Sequence, residues 1–231
     1  MIRIENVEVS GWKAAIRGMR NPMNSWAASD SYETHVENPQ THETAPHAFF
    51  VGEKDLALMK KLSAAGSDNG KFLRYIIVTL DITAPLYWWK EFDTYKVGTV
   101  ANSCSTMHTI HKRELTLDDF SHEHLMGSVD GEYSGETECY GKYMAKPLNS
   151  LRNTISEINK CRVKFLQTKS RQVWRNIIQL LPSAFNQRRT ILLNYQVLKN
   201  MYHARKNHKL EEWVTFCKWA ETLPHFEEIC M

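Results

Sequence analysis

The chain of 231 residues is long enough for one domain with a substantial core and short for two ordinary domains. Hydrophobic residues make up 42% of it and charged residues 24%, which excludes a disordered chain and a fibrous architecture. The formal net charge is only +3, yet the stretch from Lys160 to Lys209 holds many basic residues and hardly any acidic ones. We therefore expect a single domain over residues 1–231.

The N-terminal part of the chain alternates between strand and helix patterns. Apolar and polar residues alternate from Ile2 to Val9, which predicts a half-buried strand, and GWKAAIRGM then predicts a short helix. Residues 27–48 are polar and rich in histidine, so we expect a surface loop. The segment GEKDLALMKKLSAAG has the helical period and predicts a helix that ends at Gly66.

The middle of the chain predicts the main strand and the helix that follows it. The segment KFLRYIIVTLDITAP is rich in β-branched and aromatic residues and stops at Pro85. We expect LYWWKEFDTYKVG to form a helix of roughly three turns that breaks near Gly98. The segment ELTLDDFSHEHL predicts a short helix, and the glycine-rich GSVDGEYSGETECYG predicts a loop.

The C-terminal third is predicted to be helical. Its four helical segments are LNSLRNTISEINKCRVKFLQT, SRQVWRNIIQLLP, NQRRTILLNYQVLKNMYHARKNH and KLEEWVTFCKWAETLP. Two or three early strands followed by these helices predict an α+β (α/β) domain with a small central sheet and a helical C-terminal half.

Cysteine spacing and hydropathy indicate the cellular compartment of the protein. The five cysteines are widely spaced and form no C-x-x-C pair, which argues against a disulfide framework and a structural zinc site. No apolar run approaches the roughly 18 residues of a membrane-spanning helix, and the N-terminus lacks the apolar segment of a signal peptide. We expect a cytoplasmic protein with no bound metal and no membrane partner.

Three pieces of the sequence resemble, in order and spacing, the flavin-dependent thymidylate synthases. They are the strand and helix ITAPLYWWKEF, the serine-rich turn GTVANSCS, and the late run LP…N…N…R…H…EEW, and together they span roughly Leu56 to Glu228. The resemblance implies that family's fold and its homotetramer. It also implies FAD as cofactor, a pyrimidine nucleotide such as dUMP as substrate, and a reduced folate as the source of the methyl carbon.

The family signature R-H-R-x-x-S-x-N-x-x-S-x-R aligns here with one inserted residue. Its specified residues fall in order on Thr94, Tyr95, Lys96, Thr99, Asn102, Ser105 and Met107. Only the asparagine and the second serine match outright. By resemblance, Lys96 and Asn102 contact FAD, while Thr99 and Ser105 contact the nucleotide. The alternative for Ser105 is a helix N-cap or a local turn.

The missing arginines change the expected chemistry of this site. Arginine binds phosphate through bidentate, charge-assisted hydrogen bonds, which threonine, tyrosine and methionine cannot make. Each lost charged contact costs about 1.5–3 kcal/mol. The positive charge must therefore come from other residues, and the candidates are Arg20, Lys90, Lys96, His108 and His111.

The late run supplies the remaining candidates. By resemblance, Asn194 and Asn200 contact the flavin, Arg205 contacts the pyrimidine ring as the catalytic residue, and His208 lies one place from the family's flavin-binding histidine. Asn194 and Arg205 are eleven residues apart, three helical turns to within about 20°, which predicts that they share a helix face. The alternative is that Asn194 is a surface amide and Arg205 a partner of the helix dipole.

Three functions follow from these patterns. The first is FAD- and folate-dependent methyl transfer to a pyrimidine deoxynucleotide, favoured because Asn194, Asn200 and Arg205 occur together. The second is a nucleotide-binding or interaction protein on the same fold, with altered or lost catalysis. The third is contact with DNA or RNA through the basic stretch from Lys160 to Lys209, which we rank last, as a basic helix surface needs no partner.

Overall fold

The structure of the protein, obtained as a computed structural model, describes residues 2–34, 48–125 and 147–231. Within them, the strands are β1 Arg3–Ser10, β2 Tyr32–Thr34, β3 Ala48–Phe50, β4 Ile77–Pro85, β5 Val100–Ser103 and β6 Asn186–Asn194. The α-helices are α1 Trp12–Arg20, α2 Glu53–Ala64, α3 Leu86–Phe92, α4 Thr106–Thr109, α5 Pro147–Thr168, α6 Arg171–Leu180, α7 Tyr195–Arg205, α8 Glu211–Glu221 and α9 Phe226–Cys230.

The strands form two sheets. Four of them pair in the order β1-β4-β6-β5, and β2 pairs with β3 as an antiparallel hairpin in which Tyr32 lies opposite Phe50. Strands and helices are interspersed along the described residues, which confirms the predicted mixed α and β class. No helix in the described ranges is long and apolar enough to cross a membrane.

The chain divides into two compact units, and each is described by itself. Unit 1 comprises Met1–Arg3, Ile82–Asp93 and Asn102–Arg189. Unit 2 comprises Ile4–Asp81, Thr94–Ala101 and Thr190–Met231. This division into compact units does not test whether residues 1–231 form a single domain, so the single domain stays a prediction.

Unit 1 has its core between α5, α6 and the segment that follows α4. Ile155 and Ile158 of α5 pack with Ile177 of α6, and Phe120 joins the same buried cluster. Asn159 fixes the neighbouring segment in place, since its side-chain amide accepts a hydrogen bond from the Leu115 N–H at 2.9 Å and donates to the Leu115 carbonyl at 2.8 Å.

Unit 2 has its core under α1, α7, α8 and α9. Aromatic side chains dominate it: Tyr195, Trp213 and Phe226 are each 0% exposed. The Tyr195 hydroxyl donates to the Pro224 carbonyl at 2.7 Å, which satisfies the one polar atom of a buried ring. Burial raises the pKa of this phenol far above its usual value, so it stays neutral.

The start of α2 explains the positions of Asp30 and Gly52 in unit 2. Asp30 accepts hydrogen bonds from the Lys54 N–H at 2.9 Å and the Asp55 N–H at 3.1 Å, so it satisfies donors in the first turn of α2. A Cβ at Gly52 would lie only 2.3 Å from the Asp30 carboxyl carbon, which is why a glycine precedes the helix.

Several predicted elements are confirmed and two are wrong. The strand from Ile2, the helices at α1, α2, α5, α6 and α8, and the strand ending at Pro85 are all present. The long helix predicted from Asn186 is wrong, because Asn186–Asn194 is a strand in which buried Ile191 and Leu193 alternate with exposed Thr190 and Leu192. The helix after Pro85 ends at Phe92 rather than near Gly98.

The two predicted loops have different outcomes. The loop over residues 27–48 is partly wrong, since Tyr32–Thr34 and Ala48–Phe50 pair as strands, while residues 35–47 lie outside the described part. The predicted loop GSVDGEYSGETECYG lies outside the described residues. The short helix predicted near Leu117 is a single 3-10 turn, Leu117–Asp119.

Candidate functional site

Arg205, the last residue of α7, is held in an aromatic cluster of unit 2. Its Nε donates a hydrogen bond to the Tyr95 hydroxyl at 3.0 Å. Its guanidinium carbon lies 5.0 Å from the Trp213 ring centroid and 5.7 Å from that of Tyr95, both within cation–π range. The half-buried Arg205 therefore has a fixed position before any ligand binds.

The turn between α7 and α8 adds His208 to this aromatic cluster. The His208 and Trp213 rings meet edge to face with centroids 6.4 Å apart. The His208 Nδ1 accepts a hydrogen bond from the Leu210 N–H at 3.1 Å. Since Nδ1 accepts, the ring N–H in this arrangement is on Nε2.

Asn194 has a structural role at the start of α7. It is the N-cap residue, and its Oδ1 accepts a hydrogen bond from the Val197 N–H at 3.0 Å. The loop residue Gly98 lies against it: its φ is +80°, and a Cβ there would lie 3.0 Å from Asn194 Nδ2 and 3.1 Å from Val197 Cγ2. The segment that carries the altered signature thus meets α7 at both ends, at Asn194 and at Arg205.

Asn200 and Lys96 are exposed, and Thr99 is half-buried. The Asn200 Oδ1 accepts a hydrogen bond from Gln196 Nε2 at 3.1 Å, one turn earlier on α7. Arg205 follows Asn200 by five positions, which places them roughly 140° apart around the helix. The Thr99 Oγ1 is buried and has no hydrogen-bond partner within the described segments.

The other two predicted residues belong to unit 1. Asn102 is exposed on β5. Ser105 precedes α4, and its carbonyl accepts hydrogen bonds from the Thr109 N–H at 3.1 Å and the Thr109 hydroxyl at 2.7 Å. The other six predicted site residues lie in unit 2, where Arg205 and His208 belong to one cluster.

A cavity of about 820 Å³ lies beside the serine turn in unit 1. Cys104 and Thr106 form part of its wall, and Gln187 of β6 fixes them by donating to the Cys104 carbonyl and the Thr106 hydroxyl, both at 3.2 Å. Asp119 pairs with Arg113 in the same wall. Burial raises the pKa of the Asp119 carboxyl, but hydrogen bonds from Arg113 and the Thr116 N–H outweigh it and hold the pKa below its usual value.

The structure gives one charge candidate, Arg20, an acidic partner and adds two residues, Tyr95 and Trp213, to the site. Arg20 is a candidate to replace part of the missing positive charge; its Nε contacts the buried Asp55 at 2.6 Å, which offsets its charge, and its other donors are not engaged by that carboxylate. Sequence reasoning did not connect Tyr95 or Trp213 with Arg205. The sequence feature that points to Tyr95 is its alignment with the histidine of R-H-R.

Comparisons with known proteins identify the fold. No protein-family model matches the sequence, and no curated protein matches it. A flavin-dependent thymidylate synthase ThyX from Helicobacter pylori, solved with FAD and dUMP, superposes with a TM-score of 0.64 at 13% identity, covering 99% of each chain. A UMP/dUMP methylase, PolB from Streptomyces cacaoi, solved with 5-Br dUMP, superposes with a TM-score of 0.60 at 15% identity, covering 99% of this chain and 94% of that one.

These likenesses extend over nearly the whole chain, and at such low identity they establish the fold. The chain has the fold of the flavin-dependent thymidylate synthases, as the sequence resemblance implied.

Proposed function

We propose that the protein is a divergent flavin-dependent thymidylate synthase-like protein. It would use FAD and a reduced folate to transfer a methyl carbon to a pyrimidine deoxynucleotide such as dUMP. The observation that carries this proposal is the match of 99% of the chain to a ThyX structure solved with FAD and dUMP. Because one fold hosts many functions, the proposal also needs support from the residues of this chain.

The residues assigned to FAD have the chemical character that a flavin cofactor needs. Lys96 is an exposed ammonium, and the exposed amides of Asn102 and Asn200 can donate hydrogen bonds to phosphate or carbonyl oxygens. His208 has its N–H on Nε2 in the observed hydrogen-bond arrangement. When bound, FAD would supply the hydride chemistry, and these side chains would hold and orient it.

The residues assigned to the nucleotide are Arg205, Ser105 and Thr99. Arg205 is the one that would contact the pyrimidine ring, where a guanidinium can donate to a carbonyl oxygen. Its contacts with Tyr95 and Trp213 fix its orientation in advance, which reduces the entropy lost on binding. We also propose the family's homotetramer for this chain and a cytoplasmic location.

A second candidate function is nucleotide binding without turnover. The observation that favours it is that the two amides assigned to the flavin already have partners within the chain. Asn194 caps α7, and Asn200 accepts a hydrogen bond from Gln196. The altered signature adds to this, because Thr94, Tyr95 and Met107 cannot make the bidentate phosphate contacts of arginine.

Measurements of ligand binding and of dUMP turnover by the purified protein distinguish the two candidate functions. Flavin absorbance after addition of FAD, and calorimetric titration with dUMP, report binding. Conversion of dUMP to dTMP with methylenetetrahydrofolate and chemically reduced FAD, followed by mass spectrometry, reports turnover. Nucleotide binding without product supports the second candidate. A protein that binds neither FAD nor any pyrimidine nucleotide contradicts both.

Arg205→Ala tests the substrate assignment. We expect dUMP affinity to fall about 10- to 100-fold, since a hydrogen bond to a charged group contributes about 1.5–3 kcal/mol. We expect a loss of stability of about 2 kcal/mol, from the cation–π contacts and from the hydrogen bond to Tyr95. The matched control is the exposed Arg175→Ala on α6, which should change neither quantity. If Arg205→Ala unfolds, Arg205 is structural and the assignment fails.

A further inference from the structure

Unit 2 contains a second cavity, which the proposed function does not use. Its volume is about 610 Å³, within the range of about 300–1,000 Å³ found for small-molecule sites. One face of α1 forms a wall of it through Lys13, Ile16, Arg17 and Arg20, which recur at helical spacing. None of the residues assigned above to the flavin or the nucleotide lines it.

Arg20 is the notable residue of this wall. Its side chain is only 6% exposed, and its Nε contacts the fully buried Asp55 at 2.6 Å. Its Nη1 donates to the Ser25 carbonyl at 3.2 Å. Across the described residues, Nη2 has no acceptor, although a guanidinium carries five N–H donors. A nearly buried guanidinium that lines a cavity thus keeps one edge for a ligand.

Asp55 is itself fixed by hydrogen bonds that its Oδ2 accepts from residues other than Arg20. It accepts hydrogen bonds from the Ser29 and Ser31 hydroxyls, both at 2.6 Å, and from the Ser31 N–H at 3.2 Å, besides Arg20. The carboxylate therefore holds Arg20 in place from behind the wall. The arrangement fixes the guanidinium rigidly, as a binding site requires.

Two aromatic rings, Trp26 and Tyr32, also line the cavity and are held in place. Trp26 is 51% exposed and Tyr32 57% exposed, which is unusual for such large rings. The Trp26 Nε1 donates to Asn21 Oδ1 at 2.8 Å, and the Tyr32 ring stacks on Phe50 with centroids 5.3 Å apart. Two largely exposed aromatic rings that are held in place and line a cavity suit a flat ring.

The charge of the described wall residues is positive. Lys13, Arg17 and Arg20 are cationic, and Glu33 is the one carboxylate among them, paired with Lys13 at 2.9 Å. Asp55, behind the wall, offsets Arg20. The exposed Arg17 is left to add positive charge beside the Arg20 edge.

We infer that this cavity is a binding site for a planar aromatic or heteroaromatic anion. The ring of the ligand packs against Trp26 and Tyr32, and its carboxylate or similar anionic group accepts hydrogen bonds from Arg20 Nη2, with Arg17 adding electrostatic attraction. This cavity would be a second small-molecule site of the protein, and it lies in unit 2.

The test uses 2-naphthoate and its uncharged counterpart 2-naphthamide, titrated into the full-length protein by calorimetry. The two probes share one ring system and differ in charge. We expect naphthoate to bind with a dissociation constant below about 1 mM, and naphthamide to bind at least about tenfold more weakly, because it loses a charge-assisted hydrogen bond. Equal binding of the two probes, or no binding of naphthoate, overturns the inference.

Two exposed wall residues locate the site without disturbing the core. Trp26→Ala and Arg17→Gln should each weaken naphthoate binding several-fold. Trp26→Ala should weaken naphthamide as well, whereas Arg17→Gln should leave naphthamide unchanged. Lys61→Gln, an exposed cation in the last turn of α2, is the matched control and should have no effect. Naphthoate affinity that is unchanged in Trp26→Ala, with the fold intact by circular dichroism, also overturns the inference.

Discussion

At the scale of single residues, the structure shows how one replaced signature position gains a new partner. Tyr95 aligns with the histidine of R-H-R, and its hydroxyl accepts a hydrogen bond from Arg205, the residue assigned to the pyrimidine. Tyr95 also meets Trp213 edge to face, with centroids 6.0 Å apart. We therefore interpret Tyr95 as a residue that positions Arg205 through its hydroxyl and its ring.

Tyr95→Phe isolates the contribution of that hydroxyl. We expect the free energy of unfolding to fall by about 1 kcal/mol, the net value of one hydrogen bond, and dUMP affinity to fall several-fold as Arg205 becomes less ordered. Urea denaturation and calorimetric titration measure the two effects. Tyr75→Phe, at a 53% exposed ring, is the control. If the wild type binds dUMP and Tyr95→Phe binds it equally well, Tyr95 does not position Arg205.

At the scale of elements, the contact between the altered signature loop and the start of α7 depends on a glycine. Gly98 has a φ of +80°, which glycine adopts without strain, and its missing Cβ leaves room for Asn194 and Val197. Asn194 in turn caps α7. The loop position and the helix start therefore depend on each other.

Gly98→Ala tests this contact, and Gly66→Ala is a matched control. Gly66 also has a positive φ, +100°, but a Cβ there would have no atom within 4 Å. Both variants should lose about 1 kcal/mol from backbone strain. Gly98→Ala should lose more, because its Cβ crowds two side chains at about 3 Å. Equal losses in thermal or urea unfolding would show that the contact adjusts without cost.

At the scale of the whole molecule, the basic stretch from Lys160 to Lys209 is spread over several elements. The basic stretch from Lys160 to Lys209 does not form one continuous helical face, since it runs through α5, α6, β6 and α7. Arg189 of β6 pairs with Asp93 at 2.7 Å and lies 4.2 Å from the Trp89 ring. These contacts favour structural roles for part of the stretch over a nucleic-acid surface.

The stability of the folded protein at acidic pH depends in part on Asp55. Burial raises the pKa of this carboxyl, but hydrogen bonds from Ser29, Ser31 and Arg20 outweigh burial and lower it below the ordinary 3.8. Because the folded-state pKa is the lower one, Asp55 stabilises the fold above about pH 4, and this contribution is lost as the pH falls further.

Asp55→Asn should therefore lower the free energy of unfolding at pH 7 by about 3–5 kcal/mol, because it leaves the buried Arg20 charge without its partner. The variant should also lose less stability than the wild type between pH 5 and pH 3. Urea unfolding as a function of pH measures both effects. The exposed Asp68→Asn is the control and should follow the wild-type profile. A parallel pH profile in Asp55→Asn would contradict the role of this carboxyl.

The sequence by itself determined the mixed α and β class, most helices and the family resemblance, because the hydrophobic period and the order of residue types along the chain are properties of the sequence alone. It misassigned Asn186–Asn194 as helix because a strand gains its stability from hydrogen bonds to partner strands that the local sequence does not contain. Likewise, the alignment identified Arg205 and Asn194 but not what they contact.

Only the tertiary structure decided which side chains meet. Tyr95 and Arg205 are 110 positions apart, and Arg20 and Asp55 are 35 apart, so neither pair follows from spacing along the chain. The tertiary contacts made Asn194 a helix cap, gave Arg20 an acidic partner, and placed Arg20 in the wall of a cavity beside Trp26. Local patterns determine elements, whereas the partners of a charged side chain are determined by how those elements pack.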